Sequence, residues 1–248
     1  AESGAGRRAE LDLSDSRVLD GGAALLGAAL ASGRHLRRLV LQRAGLGRDG
    51  FRALGRLLAA DEGRSTALQG LDVSGNLVGS DGLKGGEQDG PFGAFCGGVW
   101  RCTSLRTLSL AGCFLGDEGL APLNAMLSFR GDDLRDEEPA ALEELDLGRN
   151  HIGEAGAGTL CVTLGLNLSL RTLSLAGNDL GPAGGVALAA GVRANKGRVR
   201  VLDVTMNGLQ ERGARALAAA FLEPVRIKVG LHRPPGTGAG LELDEELG

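Results

Sequence analysis

Tyrosine is absent from this chain of 248 residues, and aromatic residues make up only 3% of it. Positive charge is not in excess, because 27 Lys and Arg stand against 31 Asp and Glu and the formal net charge is −4. Proteins that bind nucleic acid need a basic face to replace the counterions of the phosphates. The composition therefore predicts that nucleic acid is not the partner.

Cysteine and histidine are few, and neither type is grouped in the sequence. The residues are Cys96, Cys102, Cys113, Cys161, His35, His151 and His232. None of the cysteines forms a CxxC pair, and the histidines lie far apart. This spacing predicts no metal site, no cofactor and no disulfide framework, and it favours an intracellular compartment.

Long apolar runs are also missing. No stretch of about 18 apolar residues is available to cross a bilayer, and no signal segment opens the chain. Membrane insertion is therefore not expected. A hydrophobic content of 43% is nevertheless enough for a core.

Apolar residues recur seven times at the spacing LxxLxLxxNxL. The clearest copy has Leu142, Leu145, Leu147, Asn150 and Ile152. Asparagine recurs at its position in three other copies, as Asn76, Asn178 and Asn207, whereas Ala44 and Cys113 replace it in two more. We expect the asparagine side chains to bond backbone groups of the turn that follows each strand.

A glycine stands four residues after the last apolar position of every copy. These glycines are Gly22, Gly50, Gly82, Gly119, Gly156, Gly184 and Gly213. In six copies, apolar residues follow four and eight residues later, which is a helical stripe. Each unit is therefore predicted to be a strand, a turn and a helix, with the glycine allowing close approach at the helix start.

The base period of this unit is 28 or 29 residues, as from Leu145 to Leu173 and from Leu173 to Leu202. The pattern resembles the leucine-rich repeats of the ribonuclease-inhibitor type, and the resemblance covers most of the chain. Helices need more width than parallel strands, so the array should curve. We predict an α/β solenoid arc with parallel strands on the concave face and helices on the convex face.

The predicted repeat domain covers residues 1–231. Its repeats start near residues 8, 36, 68, 105, 142, 170 and 199, and a closing strand spans 225–231. Insertions are expected near 83–90 and 131–138, where they form loops or a binding face. Residues 232–248 read as a Pro/Gly linker and an acidic tail.

Two sets of residues are candidates for contact with a protein partner. On the concave face, where seven acids outnumber three arginines, they are Glu10, Asp12, Arg38, Asp72, Glu144, Asp146, Arg149 and Asp203. The alternative for this set is that Asp and Ser belong to the repeat's own pattern. The aromatic candidates are Phe92, Trp100 and Phe114, which either anchor a partner or fill gaps beside a shortened helix.

No converging catalytic groups are visible, so the chain is predicted not to be an enzyme. We expect a protein-interaction scaffold in a larger hetero-oligomeric assembly, which is cytoplasmic and either cytoskeletal or flagellar in kind. The resemblance also implies two alternatives. One is a GTPase-activating protein similar to the activator of the Ran GTPase, and the other is the sensor segment of an innate immune receptor.

Overall fold

Strands and helices alternate along the whole of the described chain. The structure is a computed structural model that describes residues 9–32, 36–59, 67–78, 90–128, 142–195, 198–221 and 226–228. Its elements are β1 Ala9–Asp12, α1 Leu19–Ser32, β2 Leu36–Val40, α2 Arg48–Ala59, β3 Gly70–Asp72, α3 Pro91–Arg101, β4 Thr107–Ser109, α4 Leu120–Ser128, β5 Glu144–Asp146, α5 Glu154–Leu166, β6 Thr172–Ser174, α6 Gly181–Ala194, β7 Val201–Asp203, α7 Gln210–Ala218 and β8 Arg226–Lys228.

The strands form one open parallel sheet in sequence order, from β1 to β8. Equivalent leucines pair along it, as Leu108 with Leu145 and Leu145 with Leu173. Within the described residues, one helix lies in each connection between successive strands, and each helix packs against the next. This arrangement is an α/β solenoid arc, and it confirms the predicted fold class.

The last strand pairs in parallel with β7, with Ile227 opposite Leu202. It lies inside the predicted closing strand 225–231. The remainder of that segment, both predicted insertions and residues 232–248 lie outside the described residues. The predicted division into a repeat domain and a tail stays a prediction.

The core is built from the repeated apolar positions. In the fifth repeat, Leu145, Leu147 and Ile152 are buried, as are Leu160 and Leu164 of α5. The predicted helical stripe is therefore buried in this repeat. The same positions are buried in two other repeats, as Leu54, Leu58, Leu123 and Leu127. The buried residues of each repeat pack against those of the neighbouring repeats. The interior is therefore one continuous cluster along the array.

The recurring asparagines bridge neighbouring repeats. The side-chain Nδ2 of Asn76 donates to the carbonyl oxygen of Leu41 at 2.7 Å, and its Oδ1 accepts from the backbone N–H of Leu46 at 3.0 Å. Both partners belong to the preceding repeat. Asn150, Asn178 and Asn207 make equivalent bonds and are equally buried. The expected structural role of these residues is thus confirmed, and the bonds also join repeats.

A second set of asparagines bridges neighbouring repeats at the C-terminal ends of the helices. The sequence reasoning missed this set. Asn195, directly after α6, donates from Nδ2 to the carbonyl oxygen of Leu164 at 2.7 Å. Asn167, directly after α5, donates to the carbonyl oxygen of Leu127 at 2.9 Å. An asparagine three or four residues before the first leucine of a repeat was the available signal.

The glycines at the helix starts are explained by close packing. A Cβ on Gly156 would lie 2.7 Å from Cγ2 of Ile152, the last apolar residue of its repeat. A Cβ on Gly119 would lie 2.7 Å from the carbonyl oxygen of Leu115. The predicted close approach is confirmed at both positions. Gly82 lies outside the described residues.

Cys113 occupies an asparagine position and bonds more weakly. Its Sγ donates to the carbonyl oxygen of Val73 at 3.3 Å. Burial raises the pKa of its thiol to about 12, and burial likewise raises the pKa of Cys96. Cys102 is also buried, whereas Cys161 is half-exposed.

We expect only one of the four thiols to react promptly when the folded protein meets Ellman's reagent at pH 8. The reactive species is the thiolate, and a thiol that is buried cannot be reached by the reagent. Cys161 should react first, and unfolding in guanidinium should release the other three. The control Cys161→Ser should remove the prompt reaction. Prompt reaction of two or more thiols would contradict the buried positions.

Candidate partner-binding face

We define the strand face as the side chains on the side of the sheet opposite the helices, with the residue that follows each strand's turn. In the last three full repeats, these are Glu144, Asp146, Gly148, Arg149, Thr172, Ser174, Ala176, Gly177, Val201, Asp203, Thr205 and Met206. The inward leucines alternate with them, so this face is free of core packing. The sequence placed its concave candidates here.

Four of the candidate aspartates close the turn after their own strand. In each case Oδ1 accepts the backbone N–H two residues on: Ser14 at 2.9 Å for Asp12, Ser74 at 3.0 Å for Asp72, Gly148 at 2.9 Å for Asp146 and Thr205 at 3.0 Å for Asp203. The hydroxyl and N–H of Ser14 also hold the pKa of Asp12 below its usual value. This geometry supports the alternative interpretation, in which the aspartates belong to the repeat's pattern.

Among these aspartates, Asp72 is the least able to bind a partner protein. Its second oxygen accepts a hydrogen bond from Nε2 of Gln42 at 2.6 Å, and the residue is only 9% exposed. Both carboxylate oxygens therefore bond within the molecule.

Charges on the strand face of the first two repeats are paired. Arg38 lies 3.4 Å from Glu10, and Arg43 makes two bonds of 2.8 Å to Asp15. The guanidinium of Arg43 lowers the pKa of Asp15, and Asp15 raises the pKa of Arg43. Side chains that neutralise each other in this way offer little net charge to a partner.

Not every strand-face side chain of the later repeats is bonded to its own turn in the way that the two candidate aspartates of these repeats are. Glu144 and Arg149 are exposed, and neither forms an ion pair with another described residue. Met206 is 69% exposed. Arg149 and Met206 also have left-handed backbone, with φ of 55° and 56°, at a position where Gly75 and Gly177 occur in other repeats. Side chains are thus kept where glycine would be less strained.

The aromatic candidates separate into different environments. Phe92 is 1% exposed, and its ring lies 5.9 Å from that of Phe51 and 5.9 Å from that of Phe95. Its side chain is core, so the interpretation of Phe92 as a partner contact gives way to the gap-filling alternative. Trp100 is half-buried in α3.

Phe114 is different, because 57% of it is exposed. Its ring centroid lies 5.5 Å from that of His151, which holds the same position in the next repeat. Leu77, at this position of the preceding repeat, is 56% exposed. The sequence reasoning missed Leu77 and His151, although their signal was an apolar or aromatic residue at a position that faces solvent.

The described residues contain no group of three or more His, Cys, Asp or Glu arranged to hold a metal ion. None of their helices combines the length and the apolar character that crossing a membrane requires. The face is therefore best characterised by its exposed polar and apolar side chains.

A sequence model of the family described as "Leucine Rich repeat" matches residues 101–123, 141–161, 166–189 and 199–218. Among similar proteins, "NACHT, LRR and PYD domains-containing protein 12" of Mus musculus is 31% identical over 215 residues, and "NACHT, LRR and PYD domains-containing protein 2" of Homo sapiens is 30% identical over 231. The "Ribonuclease inhibitor" of Sus scrofa is 33% identical over 217 residues.

These three alignments cover 84%, 88% and 87% of this chain. They cover 18%, 19% and 43% of the respective relatives. The chain thus spans less than half the length of each of these proteins.

Proposed function

This chain is a leucine-rich repeat protein of the ribonuclease-inhibitor type, and we propose that it is a non-catalytic scaffold that binds a partner protein through its strand face. The observation that carries the proposal is that the side chains that stack the repeats differ from the side chains that face solvent. Buried leucines and asparagines stack the repeats, whereas the side chains of Glu144, Arg149 and Met206 are exposed and form no hydrogen bond or ion pair with another described residue.

Within the strand face, the proposal favours the fifth to seventh repeats. Charges of the first two repeats neutralise one another, and Asp72 is consumed by internal bonds. Charged side chains that form no ion pair within the described residues can steer and orient a partner protein, and Met206 can add adaptable apolar contact.

The proposed setting is a larger intracellular assembly, cytoskeletal or flagellar in kind. This proposal rests on the resemblance of the repeat pattern to the repeats of cytoskeletal and flagellar scaffold subunits.

The alternative of a sensor segment is favoured by one observation, the similarity to two proteins whose names contain NACHT, LRR and PYD domains. In that case the strand face would serve the same purpose, because it would bind the sensed molecule. The GTPase-activating alternative has a direct test. Faster GTP hydrolysis by a small GTPase on addition of this chain would replace the scaffold proposal.

The face variant that tests the proposal combines Glu144→Arg, Arg149→Asp and Met206→Asp. Aspartate suits the left-handed positions, since Asp15 holds the equivalent place with φ of 59°. We expect this variant to fold and to lose, by at least tenfold, a partner that the tagged wild-type chain captures from cell extract. Quantitative mass spectrometry of the captured proteins measures the loss.

A matched control carries the same types of change on the helices: Glu154→Arg, Arg193→Asp and Val162→Asp. All three residues are exposed. The control should keep the partner, and circular dichroism should show that both variants remain folded. Retention of every captured protein by the folded face variant would refute the proposal.

A further inference from the structure

Three exposed arginines gather at the N-terminal ends of β6 and β7. We call Arg171, Arg198 and Arg200 the arginine rim. Arg171 and Arg200 hold equivalent positions on adjacent strands, joined by a backbone hydrogen bond of 2.8 Å from Arg200 N–H to the carbonyl oxygen of Arg171. The guanidinium of Arg171 also donates to the carbonyl oxygen of Arg198 at 3.4 Å.

Glu143, the acidic residue beside Arg171 in the preceding repeat, is already paired with Arg106 at 3.6 Å. None of the three arginines of the rim forms an ion pair within the described part of the chain. Arg198 donates instead to the carbonyl oxygen of Leu168 at 3.1 Å. Like charges on adjacent strands repel, so this arrangement is unfavourable until an anion approaches.

We propose that the arginine rim docks an acidic segment of a partner protein. Guanidinium groups bind carboxylates through paired N–H donors, and three of them in a row fit successive Asp or Glu side chains. A long polyanion fits less well, because Asp146 and Asp203 lie on the same sheet and the whole chain is negatively charged. A short acidic segment can occupy the rim without crossing those carboxylates.

This surface adds a second contact to the proposed protein-binding function, on which it rests. It lies at the N-terminal ends of the strands, whereas Arg149 and Met206 follow the C-terminal ends. The two contacts can therefore be tested by separate variants.

The test measures fluorescence anisotropy of a fluorescein-labelled peptide of alternating Glu and Ser, added to the whole chain at low ionic strength. The wild-type chain should bind this peptide, and a matched Lys and Ser peptide should not bind. The double variant Arg171→Glu, Arg200→Glu should weaken binding by about tenfold or more, since two attractions become repulsions. Raising the salt from about 20 mM to about 200 mM should also weaken it.

The control changes the same charges elsewhere, as Arg56→Glu, Arg212→Glu on α2 and α7. Both arginines are exposed. This variant should bind the acidic peptide within about twofold of wild type if the rim is a specific site. An equal loss in both variants would show a net-charge effect and overturn the proposal.

Three other results would also overturn it. The first is no binding by the wild-type chain at low salt, and the second is tighter binding of single-stranded DNA than of the peptide. The third is tighter peptide binding when Glu242, Asp244, Glu245 and Glu246 are replaced by amides, which would identify the chain's own acidic segment as the occupant. If the rim fails while the face variant still loses its partner, the proposed function stands without this surface.

Discussion

Gly98→Ala is expected to lower the free energy of unfolding by about 3 kcal/mol. A Cβ on residue 98 would lie 2.1 Å from the carbonyl oxygen of Gly55 and 2.7 Å from its Cα. Both are backbone atoms of α2, so neither can rotate away, and α2 and α3 must move apart. The movement would loosen the packed rings of Phe51, Phe92 and Phe95, which lie between these helices.

The adjacent glycine provides the control. A Cβ on Gly97 would have no atom within 4 Å. Gly97→Ala should therefore raise stability by about 0.5 to 1 kcal/mol, because alanine favours the helix more than glycine does. Urea unfolding followed by circular dichroism measures both. Similar changes for the two variants would contradict the proposed contact between backbones.

Asn178→Ala is expected to cost about 3 to 4 kcal/mol. The Asn178 side chain donates to the carbonyl oxygens of Leu147 and Leu175 at 2.9 and 2.8 Å, and its Oδ1 accepts from the N–H groups of Asn150 and Ile152 at 2.9 and 3.0 Å. Its removal leaves buried donors and acceptors of two repeats without partners, and each such group costs about 1 to 3 kcal/mol.

The neighbouring residue separates this effect from surface charge. Asp179 has a side chain that is 70% exposed and lies 3.5 Å from His151. Asp179→Ala should change stability by no more than about 0.5 kcal/mol. Thermal and urea unfolding of both variants provide the comparison. A loss below about 1 kcal/mol for Asn178→Ala would show that the asparagine bonds are not what joins the repeats.

Most of the fold could be predicted from the sequence because the same residue pattern, and so the same interaction, recurs in several repeats. Leu145 and Leu173 recur at the same place, so their pairing needs no knowledge of distant parts of the chain. The glycine at each helix start also follows, since its neighbour Ile152 or Leu115 belongs to the same unit.

Contacts between helices were less predictable. Gly55 and Gly98 meet because α2 and α3 pack in one particular register, and the repeat period does not predict that register because the sequence between the two helices departs from it. The burial of Phe92 has the same origin. Where the period is intact, Phe114 holds the same repeat position as Leu77, and both side chains are exposed.

The candidate site divides in a similar way. The sequence placed Glu144, Asp146, Arg149 and Asp203 on one face, and the structure does bring them to one side of the sheet. It could not show that the aspartates bond their own turns, because that depends on backbone geometry after the strand. It also could not show the pairing of Arg43 with Asp15 across 28 residues.

These results separate residues that stack the repeats from residues that remain available. A binding surface on such a scaffold can change without loss of the fold, provided that the buried amides and glycines are kept. The strand face of the fifth to seventh repeats meets this condition through Glu144, Arg149 and Met206.

Hydrogen exchange of the chain, alone and with a captured partner, tests the central claim most directly. Binding through the strand face should slow exchange in peptides that cover residues 142–149, 170–177 and 199–206 and leave the outer surfaces of α5 and α6 unchanged. Slower exchange confined to those helices, with the strand peptides unaffected, would contradict the account.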